Sequence, residues 1–410
     1  MKHQPTSPLT HCLVCRHPSP RRVLDLGIVP LADQLASRDQ HQVIGAPLGL
    51  AVCPSCGHLQ LTEIVPPDLL FKDDYPYLSS SIPEVVDHFR DLHRSLSQDI
   101  PQDDALVVEI ASNDGVLLHA FRDAGAEVLG VEPSKRPAHI AEDRGIPTVT
   151  RFFSTDAAYH VMHLLDGCSP DLIIACNVLG HVPDPIDFMH GVRSLAGPET
   201  KVVIEVQDGM AMIRDGTFDL IFHQHVSYFT RHALEHLAGS TGFEVVEIER
   251  IPVHGGSLRS HLRPIESVDA TSVRSLPFDR GSWLERITSF GRDATRRASE
   301  IQTVLRSLRS QGLRIIGYGA PGKAPTLLSF AGVEPGMIEC IVDISPSKHG
   351  LRMQPGNIPI VPVDDLRSLD PDAVILFAWN YAASVMPVLE ASCSPGTIII
   401  HIHPEVVVQR

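Results

Sequence analysis

The stretch ALVVEIASNDGVLLHAFRDAGAEVLGVEP, residues 105–133, decides the fold. It opens with an apolar run of strand length and passes through a turn into a helical pattern, SNDGVLLHAFRDAG (112–125). It ends in a second apolar run, EVLGVEP (127–133). Because a strand, a helix and a second strand follow one another at this spacing, the stretch is typical of a βαβ unit with parallel strands.

The same alternation continues along the chain. A second helix is expected at KRPAHIAEDRG (135–145), and further strands at DLIIACNV (171–178) and KVVIEV (201–206). Two last strands, FEVVEIER (243–250) and SLRSHLRP (257–264), have little between them, so we expect an antiparallel edge there. The pattern as a whole predicts the α/β class, with a doubly wound sheet.

The length of 410 residues exceeds what one hydrophobic core usually organises, so several domains are expected. For residues 1–70 we expect a loop-rich module whose short strands depend on a metal. For residues 71–265 we expect the doubly wound domain, with a helical segment at its start. Residues 266–310 predict a polar helical connector. From residue 311 to residue 410 the strand and helix alternation restarts, which predicts a second, smaller parallel-sheet domain.

The composition argues against several classes of partner. The chain has 34 Lys and Arg residues against 49 Asp and Glu residues, a formal net charge of −15 at pH 7, whereas nucleic acid binding needs a basic face. Its apolar runs are far shorter than the ~20 residues that cross a bilayer, and the first ten residues lack an apolar signal segment. We therefore expect a cytoplasmic enzyme, monomeric or homodimeric, with neither a nucleic acid nor a membrane as partner.

Four of the eight cysteines form two C-x2-C pairs, Cys12 with Cys15 and Cys53 with Cys56. Each pair can hold one side of a zinc ion, so the spacing predicts a structural Zn²⁺ site with four thiolates. Disulfides are disfavoured because a secretory signal is missing, and a redox C-x-x-C site needs only one pair.

The turn EIASNDG (109–115) lies at the carboxyl edge of the predicted sheet, where open α/β sheets bind ligands. The second strand ends at Glu132, seventeen residues after Gly115, where an acidic side chain can accept both hydroxyls of a ribose. These features resemble the S-adenosylmethionine fingerprint of class I methyltransferases, in a variant with Ala111 at the first glycine position. The expected cofactor-binding residues are Glu109, Ala111, Asn113, Gly115, Glu132 and Pro133, together with Asn177 after a later strand.

Three further clusters are rich in tyrosine, serine or histidine: YPYLSS (75–80), FHQHVSY (222–228) and HGGSLR (254–259). Two histidines at i and i+2 beside a cofactor cleft favour a functional interpretation over a purely structural one. Metal binding by His223 and His225 would lack a nearby carboxylate.

The C-terminal stretch GYGAPG (317–322) opens a helix directly after a strand, and Asp343 ends the next strand twenty-one residues later. Taken alone, this is a dinucleotide fingerprint, and it makes NAD the natural ligand. An empty structural turn is the competing interpretation.

Over nearly its whole length the chain resembles the sugar C-methyltransferases that act on nucleotide-linked 4-keto-deoxysugars. The resemblance follows one order of motifs: the C-x2-C pairs, YxYxSS, EIxSNDG, NVLxHVPD, HxHxSYF, HGGSxR, GYGAxxKxxTLL, IVDxSPxKxG and WN. It implies a zinc-binding N-terminal module, a central S-adenosylmethionine domain with the class I methyltransferase fold, and a C-terminal Rossmann-like domain that helps to hold the nucleotide sugar.

The resemblance also implies roles for single residues. His225 is the base, and His181, Tyr75 and Tyr77 line the sugar pocket beside His223 and Gln224. Lys323 and the start of the helix after GYGAPG receive the diphosphate. The full set of implied substrate-binding residues is Ser79, Tyr228, His254, Ser257, Arg259, Tyr318, Gly319, Lys323 and Asp343.

The implied chemistry is methylation of carbon 3, beside the ketone at carbon 4. A hydrogen there can be removed to leave an enolate, provided that its oxyanion is stabilised. A neutral imidazole has a suitable pKa for this step, and holding both reactants close supplies much of the rate enhancement.

The chain departs from the family at two positions, because Tyr-His-Glu-His is here Phe222-His223-Gln224-His225. A carboxylate can orient an imidazole and raise its basicity, whereas Gln224 can only hydrogen-bond it, and Phe222 has no hydroxyl for the sugar. Three alternatives therefore stay open: a methyltransferase with another acceptor or with O- or N-methylation, an NAD-dependent oxidoreductase, and a non-catalytic relative.

Overall fold

The computed structural model describes residues 2–3, 6–32, 35–37, 44–71, 75–101, 104–266 and 279–409. Within these residues the strands form two seven-stranded sheets, one five-stranded sheet and one two-stranded ribbon. None of the described helices combines the length and the apolar composition needed to cross a bilayer.

The N-terminal region is built around two long antiparallel strands, β3 and β4, of ten and nine residues. The expectation of short strands was wrong for this pair. The elements of this region are β1 (Lys2–His3), β2 (Ser7–Pro8), β3 (Arg21–Pro30), β4 (Ile44–Val52), β5 (Leu59–Leu61), β6 (Glu63–Ile64), α1 (Pro67–Leu70) and α2 (Pro83–Leu96).

The central region carries the alternation that the opening stretch predicts. Its elements are β7 (Leu106–Ile110), α3 (Val116–Asp123), β8 (Glu127–Val131), α4 (Lys135–Asp143), β9 (Thr148–Val149), α5 (Thr155–Leu164), β10 (Leu172–Cys176), α6 (Pro185–Leu195), β11 (Lys201–Gln207), α7 (Gly209–Asp215), β12 (Ser227–Tyr228), α8 (Arg231–Ser240), β13 (Phe243–Ile251) and β14 (Ser257–Pro264).

Seven of these strands form one sheet in the order β13-β14-β11-β10-β7-β8-β9. The strands from β11 to β9 are parallel, and the chain order reverses beside β7, which is the topological switch point of a doubly wound sheet. The hairpin of β13 and β14 pairs antiparallel with itself and with β11, so the predicted antiparallel edge is confirmed. The fold class predicted from the sequence is thereby confirmed.

The C-terminal region forms a second seven-stranded sheet after the long helix α9 (Arg280–Ser310). Its strand order is β17-β18-β16-β15-β19-β20-β21. The inner pairs are parallel, but both edge strands are antiparallel, so the prediction of an all-parallel sheet was wrong at its edges. The elements are β15 (Ile315–Tyr318), α10 (Ala324–Phe330), β16 (Ile341–Asp343), β17 (Arg352–Met353), β18 (Ile358–Pro362), α11 (Leu366–Leu369), β19 (Ala373–Leu376), α12 (Ala382–Ser392), β20 (Ile398–His401) and β21 (Val407–Gln409).

One apolar core joins the N-terminal and C-terminal regions. Leu24, Leu48 and Leu50 of the N-terminal strands pack in one cluster with Ile287 of α9 and Ile315 of β15, all at most 5% exposed. The long strands β3 and β4 are therefore covered by other parts of the chain and do not depend on the cysteines alone for their burial.

Strand β12 connects the central region to the N-terminal sheet. It pairs antiparallel with β5, and Leu61 N also donates to Val226 O at 2.9 Å. The cluster FHQHVSY, which ends in β12, is therefore held on the N-terminal sheet although it follows the central sheet in sequence.

Candidate active site

The turn after β7 adopts an unusual backbone conformation. Ala111, Asn113 and Gly115 all have positive φ angles, of 59°, 49° and 75°. A Cβ atom on Gly115 would lie 3.1 Å from the Cβ of Ala141, so this position needs glycine both for its φ and for its space. Ala111 holds a conformation that favours glycine, at a cost of about 1–2 kcal/mol. The strain lies where the fingerprint places the cofactor.

Two buried carboxyl groups lie against this turn. Glu132 accepts the backbone N–H of Ser134 at 2.8 Å and of Asn113 at 3.1 Å. Burial raises the pKa of Glu132 to about 7, against these hydrogen bonds, which lower it. Burial, and then the charge of Asp114, raise the pKa of Glu109 well above its usual value, and among the described residues Glu109 Oε2 has no hydrogen-bond partner. An unsatisfied carboxyl oxygen and a carboxyl at the end of β8 fit a cofactor that carries an ammonium group and ribose hydroxyls.

The segment 75–81 lies across the turn. Ser79 N donates to Asn113 Oδ1 at 2.9 Å, and Asn113 Nδ2 donates to the carbonyl of Tyr77 at 3.3 Å. Arg144 links the two sides, since its guanidinium donates both to Asp114 and to the hydroxyl of Ser80. The predicted residues Tyr75, Tyr77 and Ser79 are thus brought to the cofactor turn.

A pair of histidines stands at the carboxyl edge of the sheet. The rings of His181 and His225 have centroids 4.8 Å apart, and the ring of Phe222 lies 4.1 Å from that of His225. Phe71 contacts His181 at 5.4 Å and Tyr75 at 5.5 Å, which continues the aromatic wall toward the segment 75–81. All five side chains are partly exposed, as residues that line a cleft must be.

Both imidazoles are held by their Nδ1 atoms. His181 Nδ1 lies 2.6 Å from the carbonyl oxygen of Gln224, and His225 Nδ1 lies 2.8 Å from Oε1 of Gln207. Burial lowers the pKa of both rings, and for His225 the neighbouring His181 and His254 lower it further. Both histidines are consequently neutral at pH 7, which is the state that a base needs.

The loop HGGSLR closes the opposite side. His254 has a φ of 53°, and burial lowers its pKa to about 4. A Cβ on Gly255 would lie 2.9 Å from the ring of Trp379 in the C-terminal region. The C-terminal region therefore forms part of the wall of this cleft.

The four paired cysteines converge in the N-terminal region. Their Sγ atoms all lie within 4.8 Å of one another, with Cys12 and Cys56 at 3.6 Å and Cys15 and Cys53 at 3.5 Å. Sulfurs around a tetrahedral zinc ion stand about 3.8 Å apart, given Zn–S bonds of about 2.3 Å, whereas a disulfide requires about 2.05 Å. The arrangement therefore fits a zinc ion and does not fit disulfides.

Comparisons with known proteins agree with this geometry. Residues 12–71 match a family profile described as "Putative zinc binding domain", residues 85–248 one described as "Methyltransferase domain", and residues 252–404 one described as "C-methyltransferase C-terminal domain". The chain is 31% identical over 391 residues to the C-methyltransferase NovU of Streptomyces niveus, covering 92% of each chain. The chain belongs to the C-methyltransferase family.

Other similarities are confined to part of the chain. A ubiquinone biosynthesis O-methyltransferase of Actinobacillus pleuropneumoniae is 26% identical over 103 residues, which is 23% of this chain and 42% of that one. The solved magnesium protoporphyrin IX methyltransferase of Synechocystis PCC 6803, with bound SAM, is 16% identical, covers 44% of this chain and 79% of its own, and has a TM-score of 0.34. The assignment as a SAM-dependent methyltransferase depends on the full-length relative, and it decides against an oxidoreductase that uses NAD.

In this C-methyltransferase, three residues of the predicted site are buried and have partners inside the protein. His223 is 1% exposed and its Nε2 lies 3.2 Å from the carbonyl oxygen of Ala46, so it holds the loop to β4. The hydroxyl of Tyr228 accepts from Phe222 N and donates to Leu220 O, inside the protein. Gln224 is 3% exposed and contributes its carbonyl to His181.

Two predicted residues on β14 also have internal partners. Arg259 donates to Glu205 at 2.6 Å and to Glu249 at 3.0 Å, and Ser257 donates to the carbonyl of Val253 at 3.0 Å. Burial by itself raises the pKa of Glu205. The hydrogen bond from His88 and the charge of Arg259 outweigh this effect, so the pKa of Glu205 is lowered. Arg259 thus belongs to an ion network with Glu205 and Glu249, and its implied substrate contact stays a prediction.

Lys323, the implied diphosphate ligand, is 6% exposed and has protein partners. Its Nζ donates to Asn380 Oδ1 at 2.8 Å and lies 3.8 Å from the centroid of the Trp379 ring. Burial lowers its pKa to about 8, while Asp219, 4.0 Å away, opposes that shift. Lys323 thus joins the C-terminal region to the loop before Phe222.

The C-terminal fingerprint repeats the geometry of the cofactor turn. Asp343 accepts Ala320 N at 2.6 Å and Ser345 N at 2.8 Å, as Glu132 does from its own turn. Asp343 differs from Glu132 in having a cation beside it, because Lys348 Nζ lies 3.6 Å from the Asp343 carboxylate. Of the other predicted residues here, Gly319 has a φ of 83° and packs on Ala378, and Tyr318 is 5% exposed in the core.

Sequence reasoning missed several residues that build the site. Gln207 holds His225, His88 pairs with Glu205 at 2.8 Å, and Phe71 packs on His181. Gln207 had a detectable signal, because a polar residue ends the apolar strand KVVIEV at the sheet's carboxyl edge. The partner of His88 is 117 residues away in sequence, which leaves no local signal.

Proposed function

We propose that this C-methyltransferase methylates carbon 3 of a nucleotide-linked 4-keto-deoxysugar, in the biosynthesis of a natural product. The observation that supports the proposal most is the neutral, partly exposed imidazole of His225, held by Gln207 at the carboxyl end of β11 and lined by aromatic side chains. A dTDP-linked sugar is the first acceptor to test.

In the proposed mechanism His225 removes the proton from carbon 3 through Nε2, and the electron pair of the broken C–H bond passes into the enolate. S-adenosylmethionine would supply the methyl group as an electrophilic sulfonium: the carbon 3–methyl bond would form as the methyl–sulfur bond breaks, with S-adenosylhomocysteine leaving. The ring of His181 lies beside that of His225, and His225 later returns its proton to water. The aromatic wall limits the access of bulk water to the enolate, so that a solvent hydrogen reaches carbon 3 through His225.

Glu109 and Glu132, with the backbone of the turn, would hold the cofactor. Glu132 would accept the ribose hydroxyls in place of its present backbone donors, and Glu109 would face the amino acid end. We also propose one structural Zn²⁺ ion, held by Cys12, Cys15, Cys53 and Cys56.

The proposal is tested by hydrogen exchange, which does not require methyl transfer. With S-adenosylhomocysteine bound, we expect the protein to exchange the carbon 3 hydrogen of a 4-keto sugar nucleotide for deuterium in heavy water. His225→Gln should abolish the exchange, whereas His139→Gln, on the exposed surface of α4, should not change it. A sugar nucleotide that binds but does not exchange in the native protein contradicts the enolate mechanism and favours O- or N-methylation.

A further inference from the structure

Gln207 contacts the proposed base at a distance of 2.8 Å, from its Oε1 to His225 Nδ1. We propose that Gln207 is the positioning residue that fixes the tautomer of His225, a role for which the sequence had suggested position 224. This inference rests on the proposed function, in which His225 is the base.

Backbone pairing holds the segments at both ends of this hydrogen bond. Gln207 is the last residue of β11, which lies between β10 and β14 inside the central sheet. Backbone contacts also join the residues after β11 to the residue after β12. Gly209 N donates to Phe229 O at 2.8 Å, and Asp208 forms a β-bridge with Phe229. The two segments that carry the glutamine and the histidine are thus joined by backbone bonds on one side of the contact.

The chemistry of the contact selects one tautomer. A carboxamide oxygen only accepts hydrogen bonds, so Nδ1 of His225 carries the hydrogen and Nε2 keeps its lone pair. Nε2 is then the atom that can take a proton from the substrate. When it does so, the Nδ1–H bond to Gln207 becomes charge-assisted and stronger, which stabilises the imidazolium.

The surroundings explain an amide at this position. Among the described residues, the titratable side chains that face the His225 ring are His181, His254 and Tyr228, and none of them is negatively charged at neutral pH. An amide orients the ring without adding charge, so the base stays neutral down to acid pH. A carboxylate in its place would hold the imidazole protonated at a higher pH.

Position 224 has a different contact. Its carbonyl oxygen accepts from His181, while the side chain is 3% exposed. Gln207 therefore contacts His225 through its side chain, whereas Gln224 contacts His181 through its backbone carbonyl. A substitution of the side chain at 207 reaches His225 directly.

The test compares Gln207→Met and Gln207→Glu with the same two substitutions at Gln302, a surface residue of α9. Gln207→Met keeps the length of the side chain but cannot accept from Nδ1, so the hydrogen exchange under S-adenosylhomocysteine should fall about tenfold or more, with unchanged affinity for the sugar nucleotide. Gln207→Glu should restore the exchange at high pH and move its acidic limb upward by about one pH unit or more. Both Gln302 variants should match the native protein.

A second measurement is independent of activity. Long-range ¹H–¹⁵N spectra of histidine-labelled protein, with His225 assigned through the signals lost in His225→Gln, report which ring nitrogen carries the hydrogen. We expect hydrogen on Nδ1 in the native protein and a changed population in Gln207→Met.

The outcomes separate this inference from the proposed function. If the native protein shows no exchange, the proposed function fails, while an Nδ1–H signal that is lost in Gln207→Met still supports the positioning role. If the native protein exchanges but Gln207→Met and Gln207→Glu keep its rate and pH profile, the positioning role is wrong. A native His225 with hydrogen on Nε2 also overturns it.

Discussion

At the scale of single residues, the site depends on which side chains face the cleft and which face the interior. In the loop after α7, Phe222 and His225 are partly exposed, whereas His223 and Tyr228 are buried and bonded to other backbone segments. A turn at residues 223–224 separates these roles, since His225 N donates to Phe222 O at 2.9 Å and brings the Phe222 and His225 rings together.

Tyr228→Phe should therefore act on stability and not on substrate affinity. The change leaves the buried carbonyl of Leu220 and the N–H of Phe222 without the hydroxyl, which should lower the free energy of unfolding by about 1–3 kcal/mol. Chemical denaturation measures this, with Tyr159→Phe, at an exposed position, as the control. A raised KM at unchanged stability would instead support the substrate contact implied by the family resemblance.

Glu132→Ala should weaken S-adenosylmethionine binding about 10- to 100-fold, because charge-assisted hydrogen bonds to the ribose are lost. Calorimetry checks this, with Glu127→Ala, at the exposed first residue of β8, as the control. Since burial raises the pKa of Glu132 to about 7, native affinity should increase as pH rises through 7, where the carboxyl ionises. A pH-independent affinity between 6 and 8 would count against this role.

At the scale of elements, the segment 75–81 is joined to the cofactor turn by the side chain of Asn113, with further contacts from Ser80 to Asp114 and Arg144. Asn113 bonds Ser79 and Tyr77 and has the left-handed backbone that glycine also adopts. The position of the two tyrosines therefore depends on a side chain of the cofactor turn, and the cofactor and sugar sites share one support.

Asn113→Gly should release the segment 75–81 while keeping the turn. We expect the amide of Ser79 to exchange with heavy water about tenfold faster, because its acceptor is lost. The control is Asn357→Gly, at an exposed asparagine with a φ of 54°. Unchanged exchange of residues 75–81 would show that another contact holds them.

At the scale of the whole molecule, the cluster of four cysteines and the candidate active site are connected through the N-terminal sheet. His58, beside Cys56, lies 3.1 Å from the hydroxyl of Ser227, two residues after His225, and Trp283 of α9 donates to Gly57 O at 2.9 Å. The region of the cysteine cluster thus contacts β12, which begins two residues after the proposed base.

Loss of the metal should consequently affect both stability and catalysis. Metal analysis should find one zinc ion per chain, and Cys53→Ser should lower the thermal transition and reduce the hydrogen exchange at carbon 3. Cys168→Ser, at an exposed single cysteine, should alter neither. A zinc-free protein, or Cys53→Ser with native stability, would contradict the site.

Patterns local in the sequence determined the fold and the places of its sites. The stretch 105–133 predicts the central sheet, the edge of β13 and β14 follows from two adjacent strands, and two C-x2-C pairs predict the four-thiolate cluster. Such features are visible because strand periodicity and metal-ligand spacing are set over a few residues.

Only the tertiary structure decided which partner each polar side chain has. Lys323 faces Trp379 and Asn380, Arg259 faces Glu205, and His225 meets Gln207 from another strand. These contacts join residues that are 18 to 57 positions apart and compete with substrate contacts that the motifs imply equally well. Burial settles that competition, because a buried polar group must find a partner inside the protein, and packing alone determines which groups are buried.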